Sequence, residues 1–253
     1  MAKMLDSIGQ LTPDDLRISI ALGHHPGWES FRKFGMNPDV DTGTEEVWAA
    51  GGIRVLPSAA AVASVVSDDV NDTAAGTGAR TVVVNGLDED YHDVTETVTL
   101  NGTSPVQTTQ TFIRINRTFC STAGSSSQNA GNISTSIGGD LQSYIEATEG
   151  QCHCCNYTVP ADHTLLITYY SHTTGRQAST TDIHFLGQLK VFGADPVWRS
   201  ISDVYNFQIQ YANDATVVAL PAKSDLRVLA VSNANNNVVS AIIGGFLVHN
   251  DYY

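Results

Sequence analysis

From about residue 53 onward, apolar and polar positions alternate in short runs that are separated by turn residues. Residues 163–171 are one such run, in which Leu165, Ile167 and Tyr169 share one predicted face. Because successive side chains of a strand point to opposite faces of a sheet, this period of two predicts β-strands. Turn signals such as Asn101-Gly102 recur about every 8–12 residues, a spacing typical of sandwiches and jelly rolls.

The first 50 residues follow a different pattern. Residues 12–15 (Thr-Pro-Asp-Asp) are typical of a helix start, with a capping hydroxyl, a proline and two acids, and predict a short helical turn. The apolar residues that follow alternate as they do in a strand, so we predict an extended piece there. These residues are Leu16, Ile18, Ile20 and Leu22.

Four large aromatic residues, Trp28, Phe31, Phe34 and Trp48, stand in a segment that glycines and prolines interrupt. A free chain cannot easily bury four such rings on so irregular a segment, whereas aromatic anchors are common in protein interfaces. We therefore predict that residues 1–52 are a docking arm and that these four side chains bind a neighbouring subunit.

The patterns together predict an all-β protein in three parts. Residues 1–52 form the extended N-terminal arm, residues 53–150 a small β-domain, and residues 151–253 a β-sandwich of the jelly-roll type. The 253 residues are long enough for two such domains with separate cores.

The net charge of the chain limits the classes of partner that it is expected to bind. Only 13 basic side chains stand against 26 acidic ones, giving a net charge of −13. A nucleic-acid-binding protein would present a basic face to the phosphates, so we expect no nucleic-acid partner. The longest apolar stretches, at 56–66 and 238–248, are too short to cross a bilayer, so we expect no membrane partner either.

The run Cys152-His153-Cys154-Cys155 is the most conspicuous candidate for a metal site. Structural zinc usually needs ligand pairs spaced by two or more residues, and in a strand Cys152 and Cys154 would share one face while Cys155 would not. We therefore predict buried thiols and no metal. A disulfide between Cys120 and this run is left open.

The sequence contains no convincing motif for catalysis, so we predict no catalytic residue, no cofactor and no enzyme activity. The acidic turns at 68–72 and 88–90 leave Ca²⁺ binding open, although the closing Glu of an EF-hand is absent and Asp is a common turn residue. An enzyme that cleaves glycans would need two carboxylates at a fixed separation, and the strands carry few acids.

Several short sequence motifs, taken together, resemble those of a widespread group of virion structural proteins of tailed phages. This group is common in aquatic phages, including cyanophage-like ones. The resemblance covers roughly residues 35–250, and its motifs are distinctive as a set. These motifs lie at residues 37–44 (Asn-Pro-Asp-Val-Asp-Thr-Gly-Thr), 72–91, 95–103, 112–117, 157–161 and 221–228.

The resemblance implies a non-enzymatic component of the virion, made in the host cytoplasm, whose partners are other virion proteins such as the major capsid protein or tail and neck proteins. A homo-oligomer is expected, first of all a trimer. A capsid-surface decoration or head accessory protein is preferred. The alternative is a neck or tail component, or a tail-fibre-type adhesin that binds host surface glycans. A separate hypothesis is a carbohydrate-binding module, since jelly rolls with exposed aromatic residues bind sugars. Its platform would be built from Trp198, Tyr169, Tyr170, Tyr205 or Tyr211.

Overall fold

A computed structural model describes residues 16–175, 182–191, 195–206, 210–212 and 217–252. Strands hold 60% of these residues and helices 4%, which confirms the predicted all-β class. In chain order the elements are α1 (Leu16–Ala21), β1 (Trp28–Val40), β2 (Glu45–Glu46), β3 (Ala61–Ser67), β4 (Ala79–Leu87), β5 (Asp93–Thr99), β6 (Val106–Phe112), β7 (Arg114–Ala123), β8 (Ile133–Ile137), β9 (Asp140–Ile145), β10 (Asn156–Thr158), β11 (His163–Gly175), β12 (Ile183–Val191), β13 (Asp195–Asn206), β14 (Gln210–Ala212), β15 (Val218–Leu220), β16 (Ser224–Ser232), β17 (Asn237–His249) and a final 3₁₀ turn (Asn250–Tyr252).

Two five-stranded antiparallel sheets form the larger part of the molecule. One has the order β1-β17-β11-β14, with β15 pairing with another stretch of β11. The other has the order β10-β16-β12-β13, with β2 pairing with β16. If β2 and β10 count as one strand position, and β14 and β15 as another, the orders by chain position are 1-8-3-6 and 2-7-4-5. This is the topology of a jelly roll, and we call these strands the jelly-roll unit.

The core of the jelly-roll unit lies between its two sheets. Leu165 and Ile243 of the first sheet pack against Phe185, Leu226 and Val228 of the second. Alternate residues are buried in the first half of β17, from Asn237 to Ala241, as the period of two requires, whereas residues 243–248 are buried without interruption because helix α1 covers part of the other face of the sheet.

The N-terminal segment is not a separate arm from Trp28 onward. Strand β1 pairs with β17 along nearly its whole length, from Trp28 opposite Val248 to Val40 opposite Asn237. Val47, just after β2, also lies in the jelly-roll core. The prediction of an irregular docking arm is therefore wrong for residues 28–47, because the first strand of a jelly roll pairs with the last, a partner about 200 residues away that local patterns do not reveal.

The extended piece predicted at the start of the described chain is a helix instead. Leu22 N donates to Ile18 O at 3.0 Å, and Ile20 is buried against Phe246 and Val248 on the outer face of the first sheet. The burial of Ile20 against the sheet thus favours a helix over the strand that the alternation of apolar residues predicts. The helix start predicted at residues 12–15 lies outside the described residues.

Strands β3 to β9 form a second sandwich, which we call the inserted unit. Its sheets have the orders β6-β3-β8-β9 and β5-β4-β7. Val65 and Ile133 of the first sheet share a core with Val82, Val84 and Ile115 of the second. The chain enters this unit after β2 and leaves it before β10, so the whole unit is inserted within the second strand position of the jelly roll, between the two short strands that make up that position.

The chain crosses between the two units twice, and the two crossings lie side by side. Val47 belongs to the jelly-roll core and Trp48 to the core of the inserted unit. On the return, Cys154 lies in the inserted unit and Cys155 in the jelly roll. The crossings are joined by a bridge between Trp48 and Cys154 and by the hydrogen bond from Cys155 N to Val47 O at 2.9 Å.

A buried ion pair connects the units beside these crossings. Arg114 of β7 donates two hydrogen bonds to Asp225 of β16, Nε to Oδ1 at 2.8 Å and Nη2 to Oδ2 at 3.0 Å. Both side chains are less than 10% exposed. Thr158 Oγ1 also donates to Asp225 Oδ1, at 2.6 Å, and Arg114 Nη1 donates to Pro57 O at 2.8 Å. The pair is thus bidentate and its remaining polar atoms are hydrogen-bonded, the arrangement that a buried charge requires.

We expect the replacement Asp225→Asn to lower the free energy of unfolding by about 3–5 kcal/mol, because it leaves the Arg114 guanidinium buried without a counter-charge. Urea denaturation followed by circular dichroism measures the change. The matched control is Asp203→Asn, which removes a carboxylate that is 60% exposed and pairs with His184. It should change the stability by less than about 1 kcal/mol. Equal effects of the two replacements would contradict the role given to the buried pair.

We further expect a chain that starts at residue 53 to lose the jelly-roll unit. It lacks β1 and Val47, so the long strand β17 loses its partner along one edge and the core loses Val40 and Val47. Size-exclusion chromatography and near-ultraviolet circular dichroism test this. A cooperatively folded product with native near-ultraviolet signal would show that β1 is dispensable and would restore the arm interpretation.

Candidate functional site

Trp48, one of the four predicted docking residues, is an interior residue. Its side chain is 3% exposed and belongs to the core of the inserted unit. The indole Nε1 donates to Gly51 O at 2.7 Å, and the Arg54 guanidinium lies 5.6 Å from the ring centroid. The premise that a free chain cannot bury this ring is therefore wrong, because the crossing between the units carries it into a core.

The other three predicted docking residues lie on β1 and are half-buried. Phe31 packs on the jelly-roll core, edge to face with Tyr157 at 4.7 Å between centroids. Trp28 lies 6.1 Å from Phe246 and lines a groove of about 420 Å³ on the outer face of the first sheet. Phe34 lies 5.4 Å from the ring of His153. The four aromatic residues therefore belong to different surroundings and do not form one docking surface.

The aromatic residues proposed as a sugar platform are also separated. Trp198 lies on β13 of the second sheet, and its ring is covered by the Arg227 guanidinium at 3.9 Å. Tyr169 and Tyr170 lie on β11 of the first sheet. The hypothesis of one sugar-binding platform that combines Trp198 with Tyr169 and Tyr170 is therefore wrong. The side chains of Tyr205 and Tyr211 lie outside the described residues.

A bulge in β11 changes which tyrosine faces inward. The pairing with β17 shifts between Ile167 and Tyr169. Tyr169 packs on Gly244, where an added Cβ would come within 2.0 Å of the ring, so any side chain at residue 244 would displace this ring. Tyr170 stacks on His172, which in turn contacts the core residue Phe185 at 4.6 Å. The face predicted for Leu165, Ile167 and Tyr169 thus ends at the bulge, because the extra residue reverses the alternation.

The cysteine run is divided between the two cores in the way its spacing predicts. Cys152 and Cys154 lie in the inserted unit and Cys155 in the jelly roll, which confirms that the first two share a face that the third does not. All three thiols are buried, and all four cysteines of the chain are free, so Cys120 forms no disulfide. Among the described residues, no group of three or more His, Cys, Asp or Glu side chains is arranged to hold a metal ion.

Cys152 and Cys154 form a close pair of thiols at the junction. Their Sγ atoms are 3.3 Å apart, and Thr118 N donates to Cys152 Sγ at 3.3 Å. Lys33 Nζ, which reaches across from β1, lies 3.7 Å from Cys154 Sγ and also donates to Asn116 O. The hydrogen bond from Cys154 lowers the pKa of Cys152 well below its usual range, with a further contribution from Lys33, while the same bond raises the pKa of Cys154. The Thr118 amide and the Lys33 ammonium therefore both favour negative charge on Cys152.

This pair forms part of a cationic cavity of about 190 Å³, lined by Arg32, Lys33, Phe34, Arg117 and Cys152, which we call the junction cavity. Three of the 13 basic residues of an acidic chain thus meet at one place. In the part of the chain that the structure describes, none of the three forms an ion pair with a carboxylate. The sequence analysis missed this site, although the adjacent cations Arg32-Lys33 were a visible signal.

In the two acidic turns, carboxylate oxygens of Asp72 and Asp88 accept hydrogen bonds from groups of the chain itself. The Asp72 carboxylate is fully buried, and its donors are Ser67 Oγ at 2.7 Å, Ala79 N at 2.6 Å, Ala130 N at 2.8 Å and Gly131 N at 2.9 Å. Asp88 Oδ1 accepts from the backbone of Asp90 and His92, both at 2.9 Å. Backbone donors point at these oxygens, the arrangement of a turn rather than of a cation site.

No protein-family model matches the chain, and no curated protein is significantly similar to it. Among solved structures, the VP2 subviral particle of infectious bursal disease virus is similar over 94% of this chain and 78% of its own, with 8% identity and a TM-score of 0.23. The structure of the Gt strain of that virus matches over 95% and 79%, with 11% identity and a TM-score of 0.24. Values this low do not establish a shared fold. No helix among the described residues is long and apolar enough to cross a membrane.

The different environments of the two tryptophans can be tested directly. We expect Trp48→Ala to lower the free energy of unfolding by about 3–5 kcal/mol, because it leaves a cavity in a core. Trp28→Ala should cost clearly less, about 1–2 kcal/mol, because the ring is already partly exposed to solvent. Chemical denaturation of both variants is the measurement. A larger loss for Trp28 than for Trp48 would mean that the burial assigned to these rings is wrong.

Proposed function

We propose that this protein is a non-enzymatic virion structural protein that assembles as repeated subunits. The observation that carries the proposal is the jelly-roll strand order with a second sandwich inserted within its second strand position. Jelly rolls occur in viral capsid proteins and in lectins. Because a fold alone does not fix a function, the choice between them rests on the resemblance of residues 35–250 to tailed-phage virion proteins.

The positions of the buried carboxylates support a structural role. Asp225 is paired with Arg114, Glu46 with Arg54 at 2.8 Å, and Asp72 accepts four hydrogen bonds. Each of these acids is held by donors of the chain itself. A glycan hydrolase would instead present two acids to the substrate across a cleft.

The surface of helix α1 supports assembly. Leu16 is 46% exposed, Ile18 53% and Leu22 57%, while Ile20 anchors the helix to the first sheet. Clustered exposed apolar residues commonly mark contacts between proteins. We propose that the exposed side chains at this N-terminal helical segment, Leu16 and Ile18 of α1 and Leu22 just after it, contact another copy of the chain in a symmetric oligomer, with a trimer as the expected state. The docking function predicted for the N-terminal segment thus moves from the aromatic residues to α1.

Within the virion, the proposed location is the capsid surface, as a decoration or head accessory protein of a tailed phage. The alternative is a neck or tail component, including an adhesin for host glycans.

The copy number per particle distinguishes the two locations, since capsid symmetry repeats a surface protein many more times than the tail does. Quantitative mass spectrometry of purified particles should find hundreds of copies. A small multiple of three would instead place the protein in the neck or tail, and its absence from particles would contradict the proposed function.

Oligomer formation can be measured on the purified full-length chain by multi-angle light scattering. We expect the wild type to be a trimer and a variant with Leu16, Ile18 and Leu22 replaced by serine to be a folded monomer. The matched control makes the same replacement by serine at Val55 and Val70, two exposed valines that lie outside α1. This control variant should remain trimeric. A wild type that is monomeric at all concentrations, or an α1 variant that assembles normally, would contradict the proposed contact.

A further inference from the structure

The Cys152–Cys154 pair combines three properties that an ordinary buried cysteine lacks. A second sulfur lies 3.3 Å away, a cavity of about 190 Å³ reaches Cys152, and Arg32, Lys33 and Arg117 line that cavity. The volume is several times that of one water molecule in the liquid, so a small group can enter. These properties are independent of the virion role proposed above.

We propose that the junction cavity is a modification site at which small anionic disulfides oxidise Cys152 and Cys154 to an intramolecular disulfide. The ligand class is a disulfide that carries carboxylates, of which glutathione disulfide is the cellular example. Cys152 is the attacking thiol and Cys154 the resolving thiol.

The reaction has two exchange steps. The Cys152 thiolate attacks one sulfur of the disulfide RSSR, forms a mixed disulfide and releases RS⁻, which takes up a proton. Cys154 Sγ, already beside Cys152 Sγ, then loses its proton and attacks the Cys152 sulfur, which releases the second RS⁻ to be protonated in turn. The protein dithiol is oxidised by two electrons and RSSR is reduced to two RSH.

The surroundings of the four cysteines favour this assignment. Thr118 N and Lys33 Nζ both face the pair and stabilise negative charge on sulfur. Burial instead raises the pKa of Cys120 to about 11 and that of Cys155 to about 12. Both of these thiols stay protonated at neutral pH and are therefore poor nucleophiles, which makes them internal controls within the same chain.

The cations determine the charge of the preferred reagent. Arg117 is held near the cavity by its hydrogen bond to Gln151 Oε1 at 2.8 Å and by stacking on Phe119 at 4.8 Å. Arg32 is exposed, so the rim attracts anions from solution. Lys33 also touches the sulfur pair, so its replacement would change the thiols as well as the rim. Arg32 and Arg117 are therefore the residues that test charge selection alone.

The experiment uses the full-length native protein and two disulfides, the dianion 5,5′-dithiobis(2-nitrobenzoate) and the neutral 4,4′-dithiodipyridine. We expect a rapid phase that releases two equivalents of coloured thiol per chain and leaves no reagent attached. Intact mass should fall by two hydrogens, and peptide mapping should locate the new disulfide at Cys152 and Cys154. Release of thiol only after denaturation would overturn the proposal.

Variants assign the roles. Cys152→Ala should lose the rapid phase, and Cys154→Ala should release one equivalent and retain the reagent as a mixed disulfide. Cys120→Ala and Cys155→Ala should keep both equivalents. Should Cys152→Ala fail to fold, mapping of the wild type after brief treatment with iodoacetate gives the same answer, since only Cys152 should be labelled. Rapid labelling of Cys120 or Cys155 instead would also overturn the assignment.

Charge selection is tested by the double replacement Arg32→Gln and Arg117→Gln. We expect the rate with the dianionic reagent to fall about tenfold and the rate with the neutral reagent to stay within about twofold. An equal change for both reagents would mean that the cations do not select the ligand.

Discussion

The buried pair of Arg114 and Asp225 is the interaction on which the relation between the two sandwiches depends. Each unit has its own core, so without specific contacts the two would be joined only by two short crossings of the chain. A bidentate pair sealed from water has one acceptable geometry, because any displacement leaves a charge buried alone. Thr158 completes the arrangement by donating to Asp225 beside the second crossing.

Backbone pairing at the crossings adds to this constraint. Trp48 and Cys154 are bridged, and Asn116 of the inserted unit exchanges two hydrogen bonds with the backbone of Thr158 in β10. The edges of the two sandwiches are therefore joined by hydrogen bonds that neither unit would make alone. The junction also brings the Cys152–Cys154 pair, Lys33 and Arg117 together, although they come from distant parts of the chain.

The distribution of charge follows from the same junction. The chain as a whole is strongly acidic, with a net charge of −13. The cations of the junction cavity are an exception, because Lys33 is directed by β1 and Arg117 by β7 to one place. A site of this kind arises where two units meet, since each contributes only part of it.

The sequence by itself determined the all-β class, the strand that begins at His163, and the division of Cys152 and Cys154 from Cys155. Those features depend on the alternation of side chains along a strand, which is local and can be read from the residue order. The pairing of β1 with β17, the burial of Trp48 and the helix at Ile20 were decided by the tertiary structure. Each depends on a partner distant in the chain, whose contact outweighs the local pattern. The junction cavity belongs with them, because its residues are neighbours only after the two units have packed together.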